Sequence, residues 1–84
     1  MMQFNHRLLN FSEALRCVQV GERLTRKTWE NDDIYIFFVP GYSSKELGYK
    51  VLPRIDIMTE DGSVQPGWIA SQDDMLAEDW LMLG

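Results

Sequence analysis

Arg26, Thr28 and Trp29 put a guanidinium, a hydroxyl and an indole within four residues of one another. Those groups can hold a phosphate and a flat base. A guanidinium grips phosphate through paired hydrogen bonds, and an aromatic face stacks a base for about 1–3 kcal/mol. The same residues fit a second reading, with Trp29 in a core or interface and Arg26 a solvated cation. The remaining reactive groups point away from catalysis. His6 is the single imidazole, near one end, with no partner motif for a serine or for Cys17. Asp56, Asp73, Asp74, Glu78 and Asp79 could pair as acid and base. However, Asp73 and Asp74 are accounted for by the negative charge that a helix start favours. One histidine and one cysteine cannot build a Cys/His zinc site, and no glycine motif for phosphates or dinucleotides is present. The expectation is a binding domain with no catalytic residue, no metal ligand and no cofactor.

The elements that must position these groups are legible in part. Asn10 with Glu13 has capping-box spacing, and Phe11, Ala14, Leu15 and Val18 share one face of a helix over 11–20 that Gly21 ends. Cys17 lies near that face and reads as a small buried hydrophobe. Residues 1–9 read as a short strand or an ordered lead-in. Glu22 to Trp29 read as a short strand running into a loop, and residues 30–33 as a turn. Ile34 to Val39 form the strongest strand, apolar on both faces, and Pro40-Gly41 ends it. A two-sided apolar strand needs cover on both sides. One helix supplies one cover, so the other is expected from a second subunit or from flanking loops.

Residues 41–53 read as a loop, with Val51-Leu52 a short strand end. From Arg54 the alternation is cleaner, Asp61-Gly62 marks a hairpin, and the returning strand runs from Ser63 to about Ala70 with a break at Pro66-Gly67. Ser71 with Asp74 caps a short helical turn, and residues 80–83 form a last strand. The fold expected is α+β over a single domain 1–84: one N-terminal helix on a twisted antiparallel sheet of four to five strands, in an oligomer.

Net charge is −5, which argues against binding DNA or RNA polymers by phosphate neutralisation. Its distribution is uneven. Residues 1–54 hold eight basic and six acidic side chains (+2), and residues 55–84 hold seven acids and no base (−7), which together give −5. A small anionic ligand can still sit against local arginines, or the two halves can complement each other, across the fold or between subunits. A plain solvated acidic face is the blander reading. No apolar run reaches the ~18–20 residues of a membrane span and no leader is evident, so the expected location is the cytoplasm.

A family resemblance covers residues 11–80. Phe11 to Leu15, Gly21, Thr25-Arg26-Lys27-x-Trp29, Val39-Pro40-Gly41, Arg54-x-Asp56, Asp61-Gly62 and the block from Trp68 to Trp80 fall in the order of its landmarks. Gly67, between Pro66 and Trp68, departs from the pattern. The chain resembles the second type of Thoeris anti-defence protein, found in phages and prophages. The resemblance implies a non-enzymatic sponge that sequesters cyclised ADP-ribose, and in some relatives cyclic oligonucleotides, inside the bacterial host. It also implies a homotetramer with pockets at subunit interfaces. Under it, Phe11 and Trp29 are walls of the ligand site, Arg26 with Thr28 an anion contact, and Asp56, Ser71, Gln72 and Asp73 polar contacts, the carboxylates suiting ribose hydroxyls. The alternative is a protein–protein interaction module that docks on a host partner through its acidic C-terminal half.

Overall fold

The computed structural model describes residues 7–83. His6 and most of the expected N-terminal lead-in lie outside them. Helix α1 (Phe11–Gln19) starts at Asn10 with both halves of the capping box formed: the Asn10 side chain accepts from Glu13 N–H, and the Glu13 carboxylate accepts from Asn10 N–H. It ends in a Schellman turn. Glu22 N–H returns to the Cys17 carbonyl and Gly21 N–H to that of Val18, with Gly21 at φ +103°. The helix ends one residue before the expected limit because Val20 leaves helical geometry to make that turn.

Five strands form the main sheet, all antiparallel, in the order β6-β5-β2-β1-β7. They are β1 (Leu24–Arg26), β2 (Tyr35–Val39), β5 (Arg54–Met58), β6 (Val64–Gln65) and β7 (Trp80–Met82). The most apolar strand, β2, is central, as its composition requires. Its register sets Ile36 beside Ile57 and Phe38 beside Ile55 on one face, under α1. Leu24, Ile36, Ala14, Val18, Leu9 and Trp80 make the buried core there.

Tyr35, Phe37 and Val39 point to the opposite face, with Met58 and Leu81, and all five are only half-buried. Thr25 and Asp56, on the same face, are almost fully buried. The Tyr35 and Phe37 rings pack 5.9 Å apart on it, and Arg23 lies over Tyr35 at 5.2 Å.

Two sequence expectations are corrected. Residues 41–53 form a hairpin, β3 (Tyr42–Ser44) with β4 (Tyr49–Val51), in a sheet of their own. Its signal was weak because most of its side chains face solvent, so burial imposes no period of two. The short strand before Trp29 runs as expected into a loop, which takes the form of a 3-10 turn (Lys27–Trp29) closed by Glu30 at φ 55°. The returning strand after Asp61-Gly62 keeps a ladder only over Val64–Gln65, because Gly67 at φ +73° turns the chain. Trp68 N–H then makes one isolated bond to the Ile55 carbonyl at 2.8 Å.

The short helix α2 (Gln72–Leu76) leads into edge strand β7. Leu9 bridges that edge by a reciprocal pair of backbone bonds with Trp80, at 2.8 and 3.1 Å.

Candidate functional site

Trp80 is the hub of the only aromatic cluster on the helix side of the sheet among the described residues. Phe11 lies 5.9 Å from it, Trp29 5.4 Å and Trp68 6.0 Å, centroid to centroid. Trp29 and Trp68 both meet it edge-on, the arrangement that ring quadrupoles favour. The Trp80 indole is fully buried and its N–H donates to the Asp74 carbonyl at 3.1 Å, so its polar edge is satisfied.

The 3-10 turn after β1 carries Thr28 and Trp29 against this hub, and α2 brings Asp74 to it. Arg26 faces Trp80 across the β1–β7 register, with its guanidinium 5.9 Å from the ring. That guanidinium makes two ion pairs of 2.9 Å, Nη1 with Asp74 and Nε with Asp79. Asp79 also accepts from the Thr28 backbone N–H and hydroxyl. The basic stretch ending at Trp29 thus meets the acidic block within one chain. An arginine flanked by two carboxylates offers little net positive charge to a phosphate. The arrangement makes Arg26 and Thr28 a clasp that fixes α2 and β7 to β1.

Burial alone would push the Asp79 carboxyl up. The hydrogen bonds from Arg26 and Thr28 outweigh it and hold the group below the ordinary carboxylate range. Ser71 caps α2: its hydroxyl accepts from Asp74 N–H, and the Asp74 carboxylate accepts from Ser71 N–H. Gln72 and Asp73 follow it on the first turn and are exposed.

Phe11 also lines an open groove of about 490 Å³ between the start of α1 and the end of α2. Asn10, Ser12 and Leu15 border it on one side, and Met75, Leu76, Ala77 and Glu78 on the other. Of the eight expected site residues, Phe11 lines this groove, Trp29 packs on Trp80, Arg26 and Thr28 belong to the clasp on Asp74 and Asp79, and Ser71, Gln72 and Asp73 lie at the start of α2.

Asp56 does not join them. It lies on the opposite face of β5, is 2% exposed, and accepts from Arg54 at 2.9 and 3.2 Å and from Gly67 N–H at 2.9 Å. Burial would raise its pKa, but those bonds lower it on balance. Gly67, the residue that departs from the family pattern, thus supplies a donor to a buried carboxylate. Arg54 also borders a second cleft of about 350 Å³, with Phe38, Pro53, Ile55 and Trp68.

Sequence reasoning missed Trp80 as the hub and Asp74 and Asp79 as partners of Arg26. The pairing depends on the β1–β7 register, which joins strands more than fifty residues apart and leaves no local trace. The apolar groove residues Leu15, Met75 and Leu76 could have been found from their helical spacing, but not their juxtaposition. No group of three or more potential metal ligands is found among the described residues, and no helix there is long and apolar enough to cross a membrane.

This arrangement of helix, sheet and capped second helix extends over a family match. Residues 9–83 match the Thoeris anti-defense 2-like (Tad2-like) domain, and the chain belongs to that family. It is 27% identical over 82 residues to Thoeris anti-defense 2 of Bacillus phage SP01, across 86% of this chain and 91% of the phage protein. Membership gives the chain an anti-defence role of the Thoeris type.

Proposed function

We propose that the protein acts in anti-defence by binding and holding a cyclic nucleotide-type immune signal, cyclised ADP-ribose first, without cleaving it. The observation that carries this is the groove beside Phe11. It is open, largely apolar, joined to an aromatic cluster, and within the ~300–1,000 Å³ typical of small-molecule sites. Phe11 and Trp29 supply ring surface for a base, while Ser71, Gln72 and Asp73 at the exposed start of α2 supply polar groups for ribose hydroxyls.

Sequestration works by stoichiometry, so the Kd must lie below the signalling concentration. A nanomolar Kd needs about −12 kcal/mol, a large demand for one shallow groove. Enclosure by further subunits meets it. The second apolar face of β2, where Tyr35, Phe37 and Val39 are only half-buried, supports the expected self-association, up to the homotetramer. The setting for this activity is the cytoplasm of the infected host.

The alternative, docking of the acidic C-terminal half on a host protein, is less well supported. Three of its seven acids (Asp56, Asp74 and Asp79) are held in ion pairs within the chain. Calorimetry with cyclised ADP-ribose isomers tests the proposal, followed by heating the complex and chromatography of the released ligand. Intact ligand recovered at near-stoichiometric yield supports the sponge. A cleaved product means an enzyme, and no heat with any cyclic nucleotide overturns ligand binding.

A further inference from the structure

One wall of the α1–α2 groove is a single short run of chain, Met75 to Glu78. The residues on either side of that run are Asp74 and Asp79, the two carboxylates paired with Arg26. One guanidinium therefore holds both ends of the wall, through Nη1 at one end and Nε at the other, each at 2.9 Å. Further bonds fix each end. The Asp74 carbonyl accepts from the buried Trp80 indole. The Asp79 carbonyl accepts from Lys27 N–H at 3.0 Å, and its carboxylate from Thr28.

Between those ends the wall has little of its own to hold it. Helix α2 has five residues, far below the ~12–15 that an isolated helix needs. Ala77 has already left helical geometry, at ψ 149°. Met75 is 40% exposed and Leu76 78% exposed, so burial does not fix them. The facing wall is different in kind, because α1 is capped at its start and buries Ala14 and Val18 in the core. The groove thus has one wall packed into the fold and one wall pinned at its ends.

We propose that Arg26 is a positioning residue for ligand binding, holding the 75–78 wall against α1 without touching the ligand. The inference rests on the groove being the ligand site and deepens that reading. An apparent Kd is the intrinsic one divided by the fraction of molecules in the competent form, so loosening the wall weakens binding. The role also fixes the sign of one substitution. If the guanidinium met the phosphates of the ligand, Asp79 would compete for it, and neutralising Asp79 would tighten binding. A positioning Arg26 needs Asp79, and the same change weakens binding.

Calorimetry of the full chain with cyclised ADP-ribose tests this, beside amide hydrogen exchange of the same proteins without ligand. Arg26→Lys and Asp79→Asn each raise the Kd at least fivefold. In both, Met75 and Ala77, whose N–H groups bond to the Ser71 and Asp74 carbonyls, exchange at nearly the unprotected rate while Ile36 in the central strand stays protected. Thr28→Val is the milder variant. It takes one hydroxyl from the Asp79 end, leaves both ion pairs, and raises the Kd about twofold. An unchanged or lower Kd for Asp79→Asn overturns the proposal. So does exchange that quickens equally at Met75, Ala77 and Ile36, the mark of general destabilisation. If the unchanged protein gives no heat with cyclised ADP-ribose, the reading of the groove fails instead, and the exchange experiment still decides whether Arg26 holds the wall.

Discussion

Arg26 and Asp74 lie 48 residues apart in the chain and meet at 2.9 Å, with side chains only 12% and 11% exposed. Asp79 completes the clasp from the other side of the guanidinium at 2.9 Å. A buried pair adds little net stability over an apolar substitute, but removing one member strands the other. Arg26→Ala is therefore expected to cost about 3–5 kcal/mol, read from the urea midpoint. Arg26→Lys recovers only part of it, because an ammonium cannot reproduce the planar fork that reaches two carboxylates. Full recovery by lysine would show that charge alone holds α2.

The same clasp predicts how stability depends on pH. Asp79 and Asp56 both have folded-state pKa values below the ordinary one. A depressed carboxyl contributes stability that is present above its unfolded pKa of about 3.9 and is lost as pH falls through the folded value. Urea midpoints should be level from pH 7 to about 5 and fall steadily below about 4. Asp79→Asn should lower the plateau and flatten the acid fall. An identical acid slope in the variant would remove Asp79 as a cause.

Two glycines separate conformational from steric constraint. Gly21 sits at φ +103° with nothing within 4 Å of where a Cβ would be. Gly21→Ala therefore costs only the left-handed strain, about 1–2 kcal/mol, as a lower urea midpoint. At Gly41 a Cβ would lie 2.3 Å from the Val51 carbonyl oxygen and 2.8 Å from the Pro53 nitrogen, both backbone atoms. Gly41→Ala is expected to pry open the base of the β3–β4 arm and leave the five-stranded sheet intact. Hydrogen exchange should speed up over residues 42–51 and stay unchanged at Ile36 and Leu24.

These residues also show how far the sequence could be read. Helix α1 was legible to within a residue because Asn10, Glu13 and Gly21 act locally, through bonds of three to five residues' reach. Strand β2 was legible because burial on both faces left it no polar position. The arm was misread because exposed strands carry no hydrophobic alternation. The clasp was illegible for a different reason: Arg26 and Asp79 are ordinary charges until the β1–β7 register puts Arg26 opposite Trp80. Family landmarks placed Asp56 with the other site residues, but the period of two along β5 turns it to the far face, into a bond with Gly67.

That division predicts which substitutions separate binding from folding. Phe11 borders the groove and touches Trp80 and Trp68 at its inner edge, so Phe11→Ala removes a ring wall that a base would stack on. Stacking is worth about 1–3 kcal/mol, so affinity for cyclised ADP-ribose should fall about 5- to 150-fold by calorimetry. The loss of packing also lowers stability, so Phe11→Leu is the sharper variant. It keeps the apolar volume without a flat face and should retain most of the stability while losing most of the affinity. Asp56→Asn should behave in the opposite way, lowering the urea midpoint with little change in affinity, because its carboxylate serves Arg54 and Gly67 on the far side of the sheet. If Asp56→Asn abolishes binding and Phe11→Leu leaves it unchanged, the ligand occupies the cleft beside Arg54, Phe38 and Trp68 instead of the α1–α2 groove.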